Sequence, residues 1–399
     1  TFCMNGIVLP DRGFTGKSYE TKGVYQQVAM LPSESQGKLR VINKFGMQNL
    51  DQFSVEVALL KDGVQIDRKP LALSLAPQSE AEIDVPFDLS ALDPQSDYHL
   101  NYDVSWNEQK LWADAGTVFA RGQVQLQQGE GTKESLTLDG SVHLKETASQ
   151  ITVKAGATVV SFDKEKKLLT QITSDGKKLL STDDTLAGVE LNLTFHPTDD
   201  YVCYSAPFKK DHFKFERNLV TRAAGAISVK ETSDSRVSIE TENKYLLLDG
   251  TRGYLHKASY TILPSGVIQV DNVLQAIDLA EEDFLLRVGV RIPVAKSFDM
   301  ASYLAYGPYE NYEGRKAWNR YGVHQHDALD FFSRYVRPQE CGNRSDLKWI
   351  ALQDDKGVGL EVVGEQSGNG SVMPWTSEVF ATADHIPQLP ESKRWILRY

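Results

Sequence analysis

Hydrophobic and polar residues along this chain alternate with a period of two far more often than they repeat at the helical 3.6. In FSVEVALL, residues 53–60, the alternation runs up to Lys61-Asp62-Gly63 and resumes at Val64-Gln65-Ile66. An Asp-Gly pair supplies the positive φ that a tight hairpin turn needs, so residues 53–66 are predicted to form a β-hairpin. The same device recurs at Asp175-Gly176 and, led by proline, at Pro264-Ser265-Gly266. Further strands are predicted over residues 38–44, 100–106, 151–161, 226–230, 236–240, 258–262, 267–274, 285–291 and 347–353. Helical periodicity is nearly absent. The best helix candidate, Ser377 to His385, is under three turns long. The pattern therefore points to an all-β chain of antiparallel sandwiches and away from βα units, whether doubly wound or barrel.

Composition shifts at QLQQGEGTKE, residues 125–134, which is polar and glycine-containing, and only isolated aliphatic residues follow until Ile151. The predicted organisation is an immunoglobulin-like β-sandwich over residues 13–125, a linker over 126–150 and a larger sandwich over 151–399. With 399 residues, 41% of them hydrophobic, the chain is long enough for more than one core. The net charge of −11 argues against nucleic acid or anionic membrane as a partner, since phosphate-rich surfaces require clustered Lys and Arg. No apolar run approaches the ~20 residues that span a bilayer, and the opening TFCMNGIVLP lacks the charged start of a signal peptide. A soluble protein is expected, with periplasm and cytoplasm both open. The Ser-, Glu- and Asp-rich stretch at residues 231–243 reads as solvated hairpin surface.

Cys3, Cys203 and Cys341 are too few and too scattered for a disulfide framework or a structural zinc site, and read as free thiols. The densest chemistry lies in YGPYENYEGR, residues 306–315, and YVRPQECGNR, residues 335–344. Aromatic faces stack on pyranose rings while Arg, Asn and Glu hydrogen-bond sugar hydroxyls, which makes Tyr306, Glu310, Arg315, Arg337, Glu340 and Arg344 candidate carbohydrate-facing residues. The competing reading is that buried Arg and Glu form internal ion pairs that pin long loops. Glu310 and Glu340 have the chemistry of a glycosidase acid and base only if their carboxyls stand ~5–9.5 Å apart. His324 and His326, two residues apart on a predicted strand, share a face as two metal ligands would, but no third ligand is evident nearby. No GxSxG elbow, Walker loop or GxGxxG occurs.

These segments resemble the C-terminal half of β-galactosidases of glycoside hydrolase family 2, whose last domain carries GPxENYxxR and then YVxPQENGNRxDxRW. Cys341 stands where that pattern has Asn. The opening FCMNGIVLPDR, residues 2–12, is similar to the family's FCxNGLVxxDR, and WADAG, residues 112–116, to the end of its immunoglobulin-like domain. Pro197-Thr-Asp-Asp200 weakly echoes an APTDND stretch, with Phe195-His196 where the family has Arg-Ala. MPWTSE, residues 373–378, and Ala383-Asp384-His385 are similar to LPYTxEELxxADH.

The resemblance implies a galactose-mutarotase-like supersandwich over residues 151–399 and an exit segment of a catalytic barrel over residues 1–12. It places both catalytic Glu residues on a preceding TIM barrel and a substrate-stacking Trp beyond Tyr399, so that Trp375 packs on the sandwich instead. Phe2 and Asn5 correspond to ligands of an active-site sodium, and the parent enzyme uses Mg and Na, whereas the isolated chain is expected to bind neither. The implied parent reaction is retaining hydrolysis of terminal β-D-galactosides. Within it this chain is expected to be a non-catalytic scaffold whose partners are the barrel, a galactoside held in the parent site and possible further copies of itself. A carbohydrate-binding module and an aldose epimerase-like activity are the alternatives.

Overall fold

The structure is a computed structural model and describes residues 6–129, 139–198, 219–280, 283 and 285–399. Seven strands come first: β1 (Val28–Pro32), β2 (Lys38–Asn43), β3 (Phe53–Lys61), β4 (Val64–Pro70), β5 (Ser79–Asp84), β6 (Tyr98–Trp106) and β7 (Val118–Gln127). They form two antiparallel sheets, β1-β2-β5 and β4-β3-β6-β7. Alternate residues of both sheets, among them Val28, Val41, Val55, Leu100, Val104 and Val124, meet in one core. That is the strand count and layering of an immunoglobulin-like sandwich.

The predicted hairpin is β3 and β4, with Asp62 at φ 49° and Gly63 at φ 79° in its turn. Gly63 has a second reason to lack a side chain. A Cβ there would stand 2.6 Å from the Leu304 side chain and 3.1 Å from the backbone of Gly322. The hairpin tip thus docks on the second half of the chain, where Val323 N–H donates to the Gly63 carbonyl at 2.9 Å.

That second half begins with β8 (Val142–Glu146), β9 (Gln150–Ala155), β10 (Thr158–Asp163), β11 (Leu168–Ser174) and β12 (Lys177–Lys178), which form one sheet in sequence order. β13 (Glu190–Asn192) follows. Then β14 (Thr221–Thr232), β15 (Val237–Leu246), β16 (Gly253–Ile262) and β17 (Ile268–Ile277) form a four-stranded meander. The last group is β18 (Gly289–Ala295), β19 (Met300–Gly307), β20 (Arg320–Asp327), β21 (Arg344–Gln353), β22 (Gly359–Met373) and β23 (Arg394–Arg398). With β13 these make a seven-stranded sheet in the order β13-β18-β23-β22-β21-β19-β20. One core joins all three sheets, with Val153 and Phe162 from the first, Ile239 and Tyr260 from the second, and Tyr303, Ile350 and Leu397 from the third. Each large apolar side chain so buried contributes roughly 1.5–3 kcal/mol.

The all-β expectation holds, and the structure corrects it in detail. Residues 151–161 are not one strand but the β9–β10 hairpin, because Gly156 sits at φ 57° and reverses the chain. The strand expected at 285–291 is shifted to 289–295. The helix expected from Ser377 to His385 stops at Phe380 after about one turn, and a 3-10 turn follows at Ile386–Gln388. A helix that the pattern did not predict, α1 (Gly16–Val24), carries no apolar stripe and packs instead through two buried glycines. A Cβ at Gly16 would lie 2.8 Å from the Glu310 carbonyl oxygen, and one at Gly23 would lie 2.7 Å from the Ala317 carbonyl carbon.

Candidate functional site

The two segments richest in polar and aromatic residues are loops flanking β19 to β21, and the structure docks one on the other. Asn311 holds them together. Its backbone N–H donates to the Asn343 carbonyl at 3.0 Å, its side-chain oxygen accepts from Ser345 N–H at 2.8 Å, and its amide NH2 donates to the Tyr306 and Tyr309 carbonyls. Asn343 returns a side-chain bond to the Asn311 carbonyl at 2.8 Å. Both asparagines are buried, so each satisfied amide keeps a backbone group from being orphaned.

Beneath this clasp lies Glu310, 5% exposed. Its Oε1 accepts from Arg315 at 2.6 Å and from the Tyr335 hydroxyl at 2.7 Å, and its Oε2 accepts from the Ser333 hydroxyl at 2.7 Å and Gly342 N–H at 2.8 Å. A carboxylate offers about four lone-pair positions, and all four are taken here. Burial, and then the Glu310 charge, push the Tyr335 phenol far above its ordinary range.

Glu340, 2% exposed, lies between two guanidiniums. Arg287 approaches its two oxygens at 2.6 and 3.1 Å, and Arg398 at 3.4 and 3.2 Å. Burial opposes ionisation of Glu340, but the two arginines outweigh it and hold the carboxyl below its ordinary value. An ionised carboxylate engaged on both oxygens has no proton to give, which is what a general acid must have. Cys341, fully buried, follows Glu340 in the chain. Burial, then Glu310 and Glu340, push its thiol well up, away from the thiolate that a nucleophile requires.

Arg344 is 2% exposed and takes a different kind of partner. Its Nε donates to the Tyr303 hydroxyl at 3.0 Å, Nη1 donates to the Gly342 and Asn343 carbonyls, and the guanidinium lies 4.4 Å from the Phe331 ring centre. The Tyr303 hydroxyl is 3.0 Å from His326 Nε2. His324, on the same face of β20, has Nε2 3.1 Å from the Arg320 carbonyl, and burial lowers it to about 4. Among the described residues no group of three His, Cys, Asp or Glu is placed to hold a metal ion.

The six carbohydrate-facing candidates are therefore only partly gathered. Glu310 and Arg315 share an ion pair, while Glu340 and Arg344 lie under the same pair of loops with separate partners. Tyr306 sits apart, its ring 5.0 Å from Lys316 Nζ and 5.7 Å from the Tyr321 ring. Arg337 is exposed. Phe2 and Asn5 lie outside the described residues, as do Cys3, Cys203, Asp199 and Asp200. Trp375 packs edge-on against Phe332 and Phe380 and donates from Nε1 to the Pro390 carbonyl at 2.8 Å. Sequence reasoning missed Arg287, Arg398, Ser333 and Tyr303. Arg287 and Arg398 reach Glu340 from 53 and 58 positions away, a separation that leaves no local signal.

Two protein families match the chain. Residues 154–399 match the family described as beta galactosidase small chain, and residues 39–127 match beta-galactosidase, domain 4. A β-galactosidase of Priestia megaterium is 24% identical over 395 residues, covering 98% of this chain and 37% of the relative. One of Halalkalibacterium halodurans is 25% identical, with 98% and 37% covered, and one of Alteromonas mediterranea is 27% identical, with 97% and 38% covered. The chain thus spans little more than a third of the length of these relatives.

Proposed function

The chain belongs to the β-galactosidase small-chain family, and on that premise we propose that it is a non-catalytic scaffold within a β-galactosidase of glycoside hydrolase family 2. The parent reaction is retaining hydrolysis of terminal β-D-galactosides by two carboxylates on a catalytic barrel. Its own part is to buttress that barrel and wall one side of its site, with the residues from 151 onward forming a galactose-mutarotase-like sandwich. In the parent, Mg and Na supply charge in the active site, and Phe2 and Asn5 offer a backbone carbonyl and an amide oxygen suited to a hard cation. The barrel is the principal partner, and further copies of the assembled enzyme are a second.

One observation supports the non-catalytic reading above the others. Glu310 and Glu340, the two carboxylates in the loop cluster, are filled by Arg315, Tyr335, Ser333, Gly342, Arg287 and Arg398, so neither is poised to exchange a proton with a glycosidic oxygen. The same saturation disfavours epimerase chemistry, which also needs a positioned acid and base.

The test is a chromogenic β-galactoside assay on the 399-residue chain, run beside calorimetric titration with galactose and lactose. The scaffold reading expects neither turnover nor saturable heat from the chain alone, and turnover once a barrel-bearing polypeptide is added. Turnover by the chain alone overturns it, and millimolar or tighter galactose binding without turnover replaces it with a carbohydrate-binding module.

A further inference from the structure

Strand parity gives the first sandwich an unusual second face. On β6 the core takes Tyr98, Leu100, Tyr102 and Val104, which sends His99, Asn101 and Asp103 to the opposite side. On β7 the core takes Ala120 and Val124, leaving Arg121, Gln123 and Gln125 opposite. Such a polar face is ordinarily solvated. Here β20 covers it. The Gln123 amide exchanges hydrogen bonds with the Tyr321 backbone at 2.7 and 3.0 Å, and Arg320 grips Asp103 at 2.6 and 3.1 Å.

The cover leaves a cavity of about 290 Å³, whose lining includes Gln26, His99, Arg121, Tyr306 and Asn319. That volume suits a small polar molecule. The lining offers donors in surplus. Arg121 N–H donates to the Gln26 side-chain oxygen at 2.9 Å, and Tyr309 N–H donates to the Asn319 side-chain oxygen at 2.9 Å. Because a backbone N–H must meet oxygen, both amides are fixed in orientation, and what each still offers is its NH2. Arg121 Nε is buried without a hydrogen-bond partner among the described residues. Its nearest carboxylate oxygen, on Asp103, is 3.9 Å away and already engaged by Arg320. His99 is 8% exposed, and its Nδ1 likewise has no partner among the described residues.

Several charged groups surround these donors. Two guanidiniums, Arg121 and Arg320, share the single carboxylate of Asp103. Lys22 adds a third cation: its Nζ lies 4.3 Å from the Trp318 ring centre, and the Arg121 guanidinium lies 5.4 Å from the same ring. Burial, and then Arg121, lower the Lys22 pKa, and Lys22 Nζ donates to the Val118 carbonyl at 2.7 Å. Two further carboxylates stand near the lining, Asp97 beside His99 and Glu20, which accepts from Ala317 N–H at 2.8 Å, so it is the unfilled donors and not net charge that favour an anion.

We infer that this cavity binds a small oxyanion, a carboxylate or phosphate group, through Arg121 Nε and the amide NH2 groups of Gln26 and Asn319, with the His99 ring on its wall. Tyr306, proposed from sequence as a sugar-facing residue, reaches this cavity and not the Glu310 cluster.

The test is calorimetric titration of the 399-residue chain, at constant ionic strength, with inorganic phosphate, with galacturonate and with galactose as the neutral control. Saturable binding of phosphate or galacturonate at least tenfold tighter than galactose is expected, and whichever of the two binds identifies the anion's source. Asn319→Asp and Gln26→Glu each keep the oxygen that accepts the backbone N–H while replacing the NH2 by a repelling oxygen. Each is expected to weaken anion binding at least tenfold without lowering the unfolding midpoint. No saturable binding of either anion, galactose binding as tight as galacturonate, or affinity unchanged in both variants overturns the inference.

Discussion

The Glu340 carboxylate and the Arg398 guanidinium meet at 3.2 Å where only 2% and 4% of the two residues remain exposed. Arg398 is the last residue of β23 and Glu340 lies in a loop, so the pair ties the loop cluster to the sheet. A buried pair of this kind adds little net stability over an apolar pair of equal volume, yet breaking it strands a buried charge. Glu340→Gln leaves Arg287 and Arg398 without a counter-charge and is expected to cost about 3–5 kcal/mol, read as a shift in the urea midpoint at constant slope. If Glu340→Gln unfolds at the wild-type midpoint, the pinning role is wrong.

Glu310 provides a graded version of the same experiment. Four donors converge on it, so Glu310→Gln sets an amide NH2 against two groups that can only donate or would have to turn away. A stranded buried donor costs roughly 1–3 kcal/mol, so a loss above 2 kcal/mol is expected, whereas Ser333→Ala, which removes one donor of four, is expected to cost about 1 kcal/mol or less. Equal losses in the two variants would show that the carboxylate is not the centre of the network.

How much of this was legible in advance depended on the range of the interactions. The β3–β4 hairpin was readable because its determinants, alternating Phe53 to Leu60 and the positive φ of Asp62 and Gly63, lie within a dozen residues. The β9–β10 turn was misread because Gly156 interrupts a β-branched, strand-like run, ITVKAGATVVS, without a flanking Asp or Asn. Helix α1 was invisible because its packing surface consists of two glycines and not an apolar stripe. In the loop cluster the polar segments stood out by composition, but the partners of Glu340 come from β23 and from just before β18, which no local spacing encodes.

Acid is expected to destabilise the fold in two stages. Burial lowers His324 to about 4, and it also lowers His99, His256 and His326. A folded-state histidine value below the unfolded 6.5 means that the unfolded chain binds the proton first, so stability is intact above about 6.5 and falls as pH drops toward 4. The second stage comes from carboxylates. Burial would raise Glu378, but Arg291 at 2.8 Å and its hydrogen bonds bring it down to about 2, and the arginines likewise depress Glu340. Those contributions are complete above the unfolded value near 4.5 and vanish as pH falls toward 2. Unfolding free energies measured from pH 8 to 3 should decline through both windows. His324→Gln is expected to flatten the upper slope and Glu378→Gln the lower one.

The contact of α1 with the loop at 315–319 sets two effects of opposite sign against each other. In a helix Ala is favoured over Gly by as much as about 1 kcal/mol, which on propensity alone predicts that Gly23→Ala stabilises. A Cβ at that position, however, would stand 2.7 Å from the Ala317 carbonyl carbon and 2.9 Å from its Cβ and oxygen. The loop backbone there cannot easily yield, since Ala317 N–H donates to Glu20 of the same helix at 2.8 Å and Asn319 N–H closes the next turn on the Lys316 carbonyl. Overpacking of this kind costs about 1–3 kcal/mol and outweighs the propensity gain near a helix end. Gly23→Ala is therefore expected to lower the urea midpoint, while Val24→Ala, at a 61% exposed position on the same turn, is expected to leave it unchanged or slightly raised. Stabilisation by both substitutions would mean that α1 does not approach the loop this closely.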